Sequence, residues 1–165
     1  MNGIVLELQK EAMDKNADIE SLLRKSYVIA RKLKLTEFKE WIECEQEGYG
    51  EKETPEYRMI QGQLKALNPV RGWIPVVMES AIAEKAFTKT KLPNSVSELY
   101  DLYQNAESSM LVMNLPAEMN KYVAKCCGFN TQFRLEFGKN QVYSILSRVK
   151  NNILDFPKVD RYLYQ

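Results

Sequence analysis

The sequence predicts an α+β domain: an N-terminal helical bundle, a small and mostly antiparallel central sheet, and a long C-terminal helix. Three observations carry this. Apolar residues recur at helical spacing from Ile4 to Trp41 and again from Val142 to Ile153. Between those ends the period changes to two, most cleanly where Phe133, Leu135 and Phe137 alternate with Gln132, Arg134 and Glu136. Gly62, Pro69, Gly72 and Pro75 punctuate the middle of the chain between short apolar runs.

The elements follow in order. Ile4, Leu8 and Ala12 predict a first helix over 4–15. Asp18 caps a second, reaching about residue 34, with Ile19, Leu22, Leu23, Ser26, Ala30 and Leu33 on one face. Thr36 caps a third, with Phe38, Trp41 and Ile42 inward, and Gly48 ends it. The connections are short, so the three helices pack as neighbours. From Tyr57 to Leu67 the chain reads as a strand, Asn68-Pro69 and Gly72 as a turn, and 73–78 as a returning strand made irregular by Pro75. Residues 79–90 carry some helical potential. Ser95 with Glu98 forms a capping box before a helix over 96–106. Met110-Leu111-Val112-Met113 reads as a short strand, Pro116 opens a helix at its first position, and Gly128 closes it. After the 131–137 strand, the last helix spans 139–155 on a stripe of Val142, Ile145, Leu146, Val149 and Ile153. The expected core includes Leu22, Leu33, Trp41, Phe133, Ile145 and Val149.

Composition narrows the function classes. The 165 residues suit one domain, and 27% charged with 45% apolar residues is an ordinary globular balance. No apolar run approaches the ~20 residues of a membrane span, and the start of the chain lacks the pattern of a secretory signal. Three cysteines, two of them adjacent, suggest no disulfide framework, so a reducing cytoplasm is expected. The chain has no histidine, which removes Ser-His-Asp and Cys-His catalysis and His-ligated zinc. Phosphate-binding Gly-rich loops are absent, and neither a cofactor nor a metal is expected. The net charge of +1 hides an asymmetry: residues 37–56 hold eight acids and two bases, −6, against +7 elsewhere.

Four candidate sites stand out. Asn68, Arg71, Gly72 and Trp73, with Arg58 nearby, form the leading binding surface: an amide, cations and an aromatic platform around a turn. Arg24, Lys25, Arg31 and Lys32, extended by Lys34, form a basic face on the second helix, suited to phosphates or to the acidic segment of another copy. A pI near 7.6 does not favour a dedicated nucleic-acid binder. Glu40, Glu43, Glu47 and Glu51 share a helical spacing but bring no converging ligands from other elements. Cys126-Cys127 on a helix point about 100° apart and pair poorly, one being expected buried.

Three segments in order resemble the AbiTii family, a domain of bacterial abortive-infection antiphage defence. They are IVLELQKEAMDK with SLLRKSYVIARKLKLTEFKEWIECEQEGY, then PEYRMIQGQLKALNPVRGWIP, then RLEFGKNQVYSILSRVKNNILDF. The middle one is the most specific, through Tyr57, Arg58, Gly62, Leu64, Asn68, Pro69, Gly72, Trp73 and Pro75. Phe156 departs from the family's pattern, which has an indole there. The resemblance implies a cytoplasmic defence protein, free-standing or the N-terminal module of a longer one, and brings no catalytic set. The expected role is a non-enzymatic interaction, oligomerisation or sensing module, partnered by a protein, a second copy or a phage-derived trigger, with no membrane. The alternative is a toxin acting on nucleic acid or a nucleotide, its lysines and arginines holding phosphate and its carboxylates Mg²⁺.

Overall fold

The computed structural model describes residues 2–155. Helix α1 (Asn2–Met13) leads into α2 (Ile19–Lys32), whose first turn is closed by the Asp18 carboxylate accepting from the Glu20 amide at 3.2 Å. α2 ends in a six-residue return: Leu35 N donates to Ala30 O at 2.9 Å, and Lys34 between them takes a left-handed φ of +58°. That return uses Leu35 as the entry to α3 (Thr36–Glu47), so Thr36 is the first helical residue and not the expected cap. Leu33 is likewise displaced to the cap of α2 and is only partly buried, while Ile29 joins the inner stripe. Gly48, at φ +93°, stops α3 as expected.

The run from Tyr57 to Leu67 is not one strand. Glu56–Arg58 is a single 3-10 turn, β1 is Met59–Gln61, and β2 is Gln63–Asn68. Gly62 divides them because no side chain fits there: a Cβ would lie 2.5 Å from Glu136 O and 2.8 Å from Leu135 Cγ. β2 runs back as β3 (Gly72–Pro75), forming the expected hairpin with Leu67 opposite Trp73. β3 stops at Pro75, three residues early, although Val76 N still donates to Leu64 O at 2.9 Å. α4 (Ala81–Thr88), capped by Ser80, leads into β4 (Lys89–Lys91), a strand the sequence did not predict.

The Ser95 capping box forms, with the Ser95 hydroxyl accepting from Glu98 N at 3.2 Å at the start of α5 (Val96–Gln104). β5 (Met110–Asn114) and α6 (Ala117–Cys127) follow. Pro116 sits at the cap of α6, one place before its expected position, and Gly128 closes the helix at φ +79°. β6 (Phe133–Gly138) runs directly into α7 (Lys139–Leu154), whose predicted stripe is entirely buried. Phe156 lies outside the described residues.

Among the described residues two antiparallel sheets result. β1 pairs with β4, and the larger sheet has the order β3-β2-β6-β5. The main core joins α1, α2, α3, α5 and α7 to Leu135 and Phe137 of β6 and Ile60 of β1. A second cluster packs Val123 and Ala124 of α6 and Phe87 of α4 on Leu64, Ala66 and Phe133. Of the predicted core, Leu22, Phe133, Ile145 and Val149 are buried, and Trp41, like Leu33, is partly so.

Candidate functional site

Strand alternation gives the larger sheet two unlike faces. Leu64, Ala66, Phe133, Leu135 and Phe137 face the helices. The register places Gln63, Lys65 and Leu67 of β2, Trp73 of β3, Arg134 and Glu136 of β6, and Met110, Val112 and Asn114 of β5 on the other. None of the apolar residues in this second set belongs to either hydrophobic cluster. Met110 and Val112 are 45% and 49% exposed.

A charged cluster crosses this open face. The Arg134 guanidinium lies 4.1 Å from the Trp73 ring centre. It donates through Nε and Nη2 to Glu136 Oε1 at 3.1 and 2.6 Å, and Lys65 Nζ reaches Glu136 Oε2 at 2.9 Å. Burial alone would raise the Glu136 carboxyl, but the hydrogen bonds and charges of Lys65 and Arg134 outweigh it and hold the group below the usual carboxylate range. Trp73 is thus half-buried, a stacking plate under a cation. Asn68 serves the turn itself: its side-chain oxygen accepts from Val70 N at 2.9 Å and Arg71 N at 3.0 Å. Gly72 takes φ +78°, and Arg71 is exposed at the tip.

Arg58 does not belong to this surface, which corrects the expectation that it stands beside the turn. It is 0% exposed and bonded inside the protein. Its guanidinium forms an ion pair with Glu45, also 0% exposed, and donates through Nη1 to Leu92 O at 2.9 Å and Asn94 O at 2.6 Å. Tyr49 donates to Glu45 Oε1 at 2.6 Å, Tyr57 donates to the same oxygen, and Trp41 Nε1 donates to Tyr57 at 2.9 Å. Burial, and then the Glu45 charge and hydrogen bond, push the Tyr57 hydroxyl up to about 12. Burial and its bond to Glu45 raise Tyr49 further still. Among the described residues no buried side-chain polar atom lacks a partner.

The remaining candidates stay apart from both clusters. Arg24, Lys25, Arg31 and Lys32 are exposed on α2, but Lys25 is held by Glu11 at 2.6 Å and Arg24 lies 3.9 Å from Glu20. Arg31 lies over the ring of Tyr27. Lys39 pairs with Glu43 at 3.7 Å, and among the described residues no group of three or more acids or cysteines is placed to hold a metal. Cys126 is exposed and Cys127 half-buried, so neither is the buried thiol expected of the pair; that thiol is Cys44. Burial, with its neighbour Cys126, raises the Cys127 thiol, which lowers its thiolate fraction.

Sequence reasoning missed Lys65, Arg134 and Glu136 as site residues, although alternation against Phe133 and Leu135 put Arg134 and Glu136 on one face. It also missed Glu45, a carboxylate four residues after Trp41 and four before Tyr49 on an inward helix face.

The fold and these two clusters define a small α+β protein with one arginine–glutamate pair buried in its core and another on its sheet face. The chain belongs to the AbiTii family, whose model matches residues 3–157. Membership implies a part in abortive-infection antiphage defence. No curated protein and no solved structure matches the chain. Among the described residues no helix is long and apolar enough to cross a membrane.

Proposed function

We propose that this AbiTii protein works in the bacterial cytoplasm as a non-enzymatic docking module, folded as one domain, whose open sheet face receives a partner protein during abortive infection. The observation that carries this is the Trp73–Arg134–Glu136–Lys65 cluster on a sheet face that, among the described residues, no hydrophobic cluster covers. Tryptophan and arginine dominate the energetics of protein interfaces when they sit at a patch centre. Here they are flanked by Leu67, Val112 and Met110, with two cations to one carboxylate. The complementary surface is apolar and acidic. The acidic segment at residues 37–56 of a second copy has the right sign, so self-association is the first arrangement to measure.

The test expresses the chain from its native locus and counts phage plaques. Trp73→Ala and Arg134→Glu are expected to lose protection while their circular-dichroism melting curves stay within a few degrees of the parent. Sedimentation velocity on the parent and both variants then tells a second copy from a different partner. Protection that survives both substitutions in folded protein would sink the reading.

A further inference from the structure

Two neighbouring hollows between α5 and α7 share a groove wall made by Tyr103 and Tyr143. The larger is a cleft of about 520 Å³ that reaches the α1–α2 connection, and the smaller a hollow of about 340 Å³ at the Met110–Gly138 end of the larger sheet. These volumes fall in the range that takes a small organic ligand. Tyr103 and Tyr143 line both parts, their rings 5.7 Å apart and tilted by 40°. Tyr100 adds a third ring on the larger side, with the amides of Gln104 and Asn151 beside it. The smaller hollow adds a hydroxyl, an ammonium and an amide from Ser109, Lys139 and Asn140, and Lys139 Nζ stands 5.3 Å from the Tyr103 ring centre.

Charge divides the two parts. In the larger cleft, Lys15 and Lys150 face Asp14 and Asp18, summing to zero, and both carboxylates already accept a backbone amide, from Asn16 and Glu20. The smaller hollow carries +1, from Lys139. Planar rings with amide edges therefore adjoin a cationic hollow with hydroxyl and amide donors. We propose that this groove binds a nucleotide: the base stacked on Tyr103 and Tyr143 in the larger cleft, the phosphate held by Lys139, Ser109 and Asn140. Tyrosine stacking tolerates any base, and amides can read its edge. The nucleotide is either free or the end of a single strand, and the two share this chemistry.

The experiment is calorimetric titration of the whole chain with the four 5′-mononucleotides, their nucleosides, inorganic phosphate and a single-stranded tetranucleotide. Saturable mononucleotide binding, weaker for nucleoside or phosphate alone, is expected. Lys139→Ala should weaken nucleotide about tenfold and spare the nucleoside, whereas Tyr143→Ala should weaken both about tenfold. Tyr143 is 56% exposed, so its truncation should leave the fold intact; should it not, Lys139→Ala with Lys139→Arg rescue decides alone. A tetranucleotide that binds more tightly than any monomer assigns the groove to a strand, and a weaker one assigns it to free nucleotide. No saturable binding, or affinity indifferent to Lys139, would overturn the assignment. Either result leaves the Trp73 face untouched, because its variants are scored by plaques and sedimentation.

Discussion

Two regions of this molecule use the same three components, an arginine, a glutamate and aromatic rings, to opposite ends. Arg58 pairs with Glu45 and lies 4.9 Å from the Tyr49 ring centre; Arg134 pairs with Glu136 and lies 4.1 Å from that of Trp73. In the first, both charges are fully buried, and Arg58 also serves two backbone carbonyls. In the second, Nη1 of Arg134 makes no hydrogen bond to a described residue. A saturated cluster can only hold the fold. An open one leaves part of its hydrogen-bonding capacity unspent. Gly62 is the boundary: the chain before it leads from Arg58, and the chain after it carries Lys65.

Breaking the buried cluster should have the largest effect. Arg58→Ala removes the counter-ion of the buried Glu45, leaving it only its two tyrosine donors, and is expected to cost about 3–5 kcal/mol, read from urea denaturation. A loss under about 1 kcal/mol would mean that water enters the cluster and that the contrast between the two regions is false.

The next effect is alkaline. An unfolded tyrosine ionises near pH 10. Because the folded Tyr57 value is raised to about 12, its contribution is complete below about pH 10 and lost as pH climbs toward about 12. Tyr57 alone should lower stability by about 2 kcal/mol across that window, and Tyr49, raised further, adds to the fall. Tyr57→Phe should reduce this slope without abolishing it, although it also removes a bond to Glu45. A slope unchanged in Tyr57→Phe would place the titrating group elsewhere.

The smallest effect belongs to the open face. Glu136→Gln is expected to cost about 1 kcal/mol at neutral pH, since the cluster is only partly desolvated. The Glu136 value is depressed, so its contribution is present above the unfolded value near pH 4.3 and lost as pH falls through the folded one. Parent and variant should therefore converge in acid. A gap that persists at low pH would mean that Glu136 acts through packing and not through charge.

The helical ends were legible because their apolar stripes repeat without interruption and their stops are chemical: Asp18, Gly48, Ser95 and Gly128 do what their side chains or backbones dictate. The middle was less so. β4 consists of Lys89, Thr90 and Lys91, too short and too polar to show alternation, and only its pairing with Met59–Gln61 makes it a strand. Gly62 was visible as punctuation, but the switch between sheets depends on the approach of Glu136, seventy-odd positions away. At the site, the turn and Trp73 could be read, because Asn68 and Gly72 have few other uses. Arg58 could not, because nothing local distinguishes a buried arginine from a solvated one: its burial is set by Glu45, Leu92 and Asn94, which only folding brings near.

The guanidinium of Arg58 touches the helix before it in sequence and the connection after β4 with a single group. Those stretches cannot loosen one at a time. Their amides should exchange with deuterium together, as a unit that opens late, and a protease should find no foothold among them until the whole protein gives way.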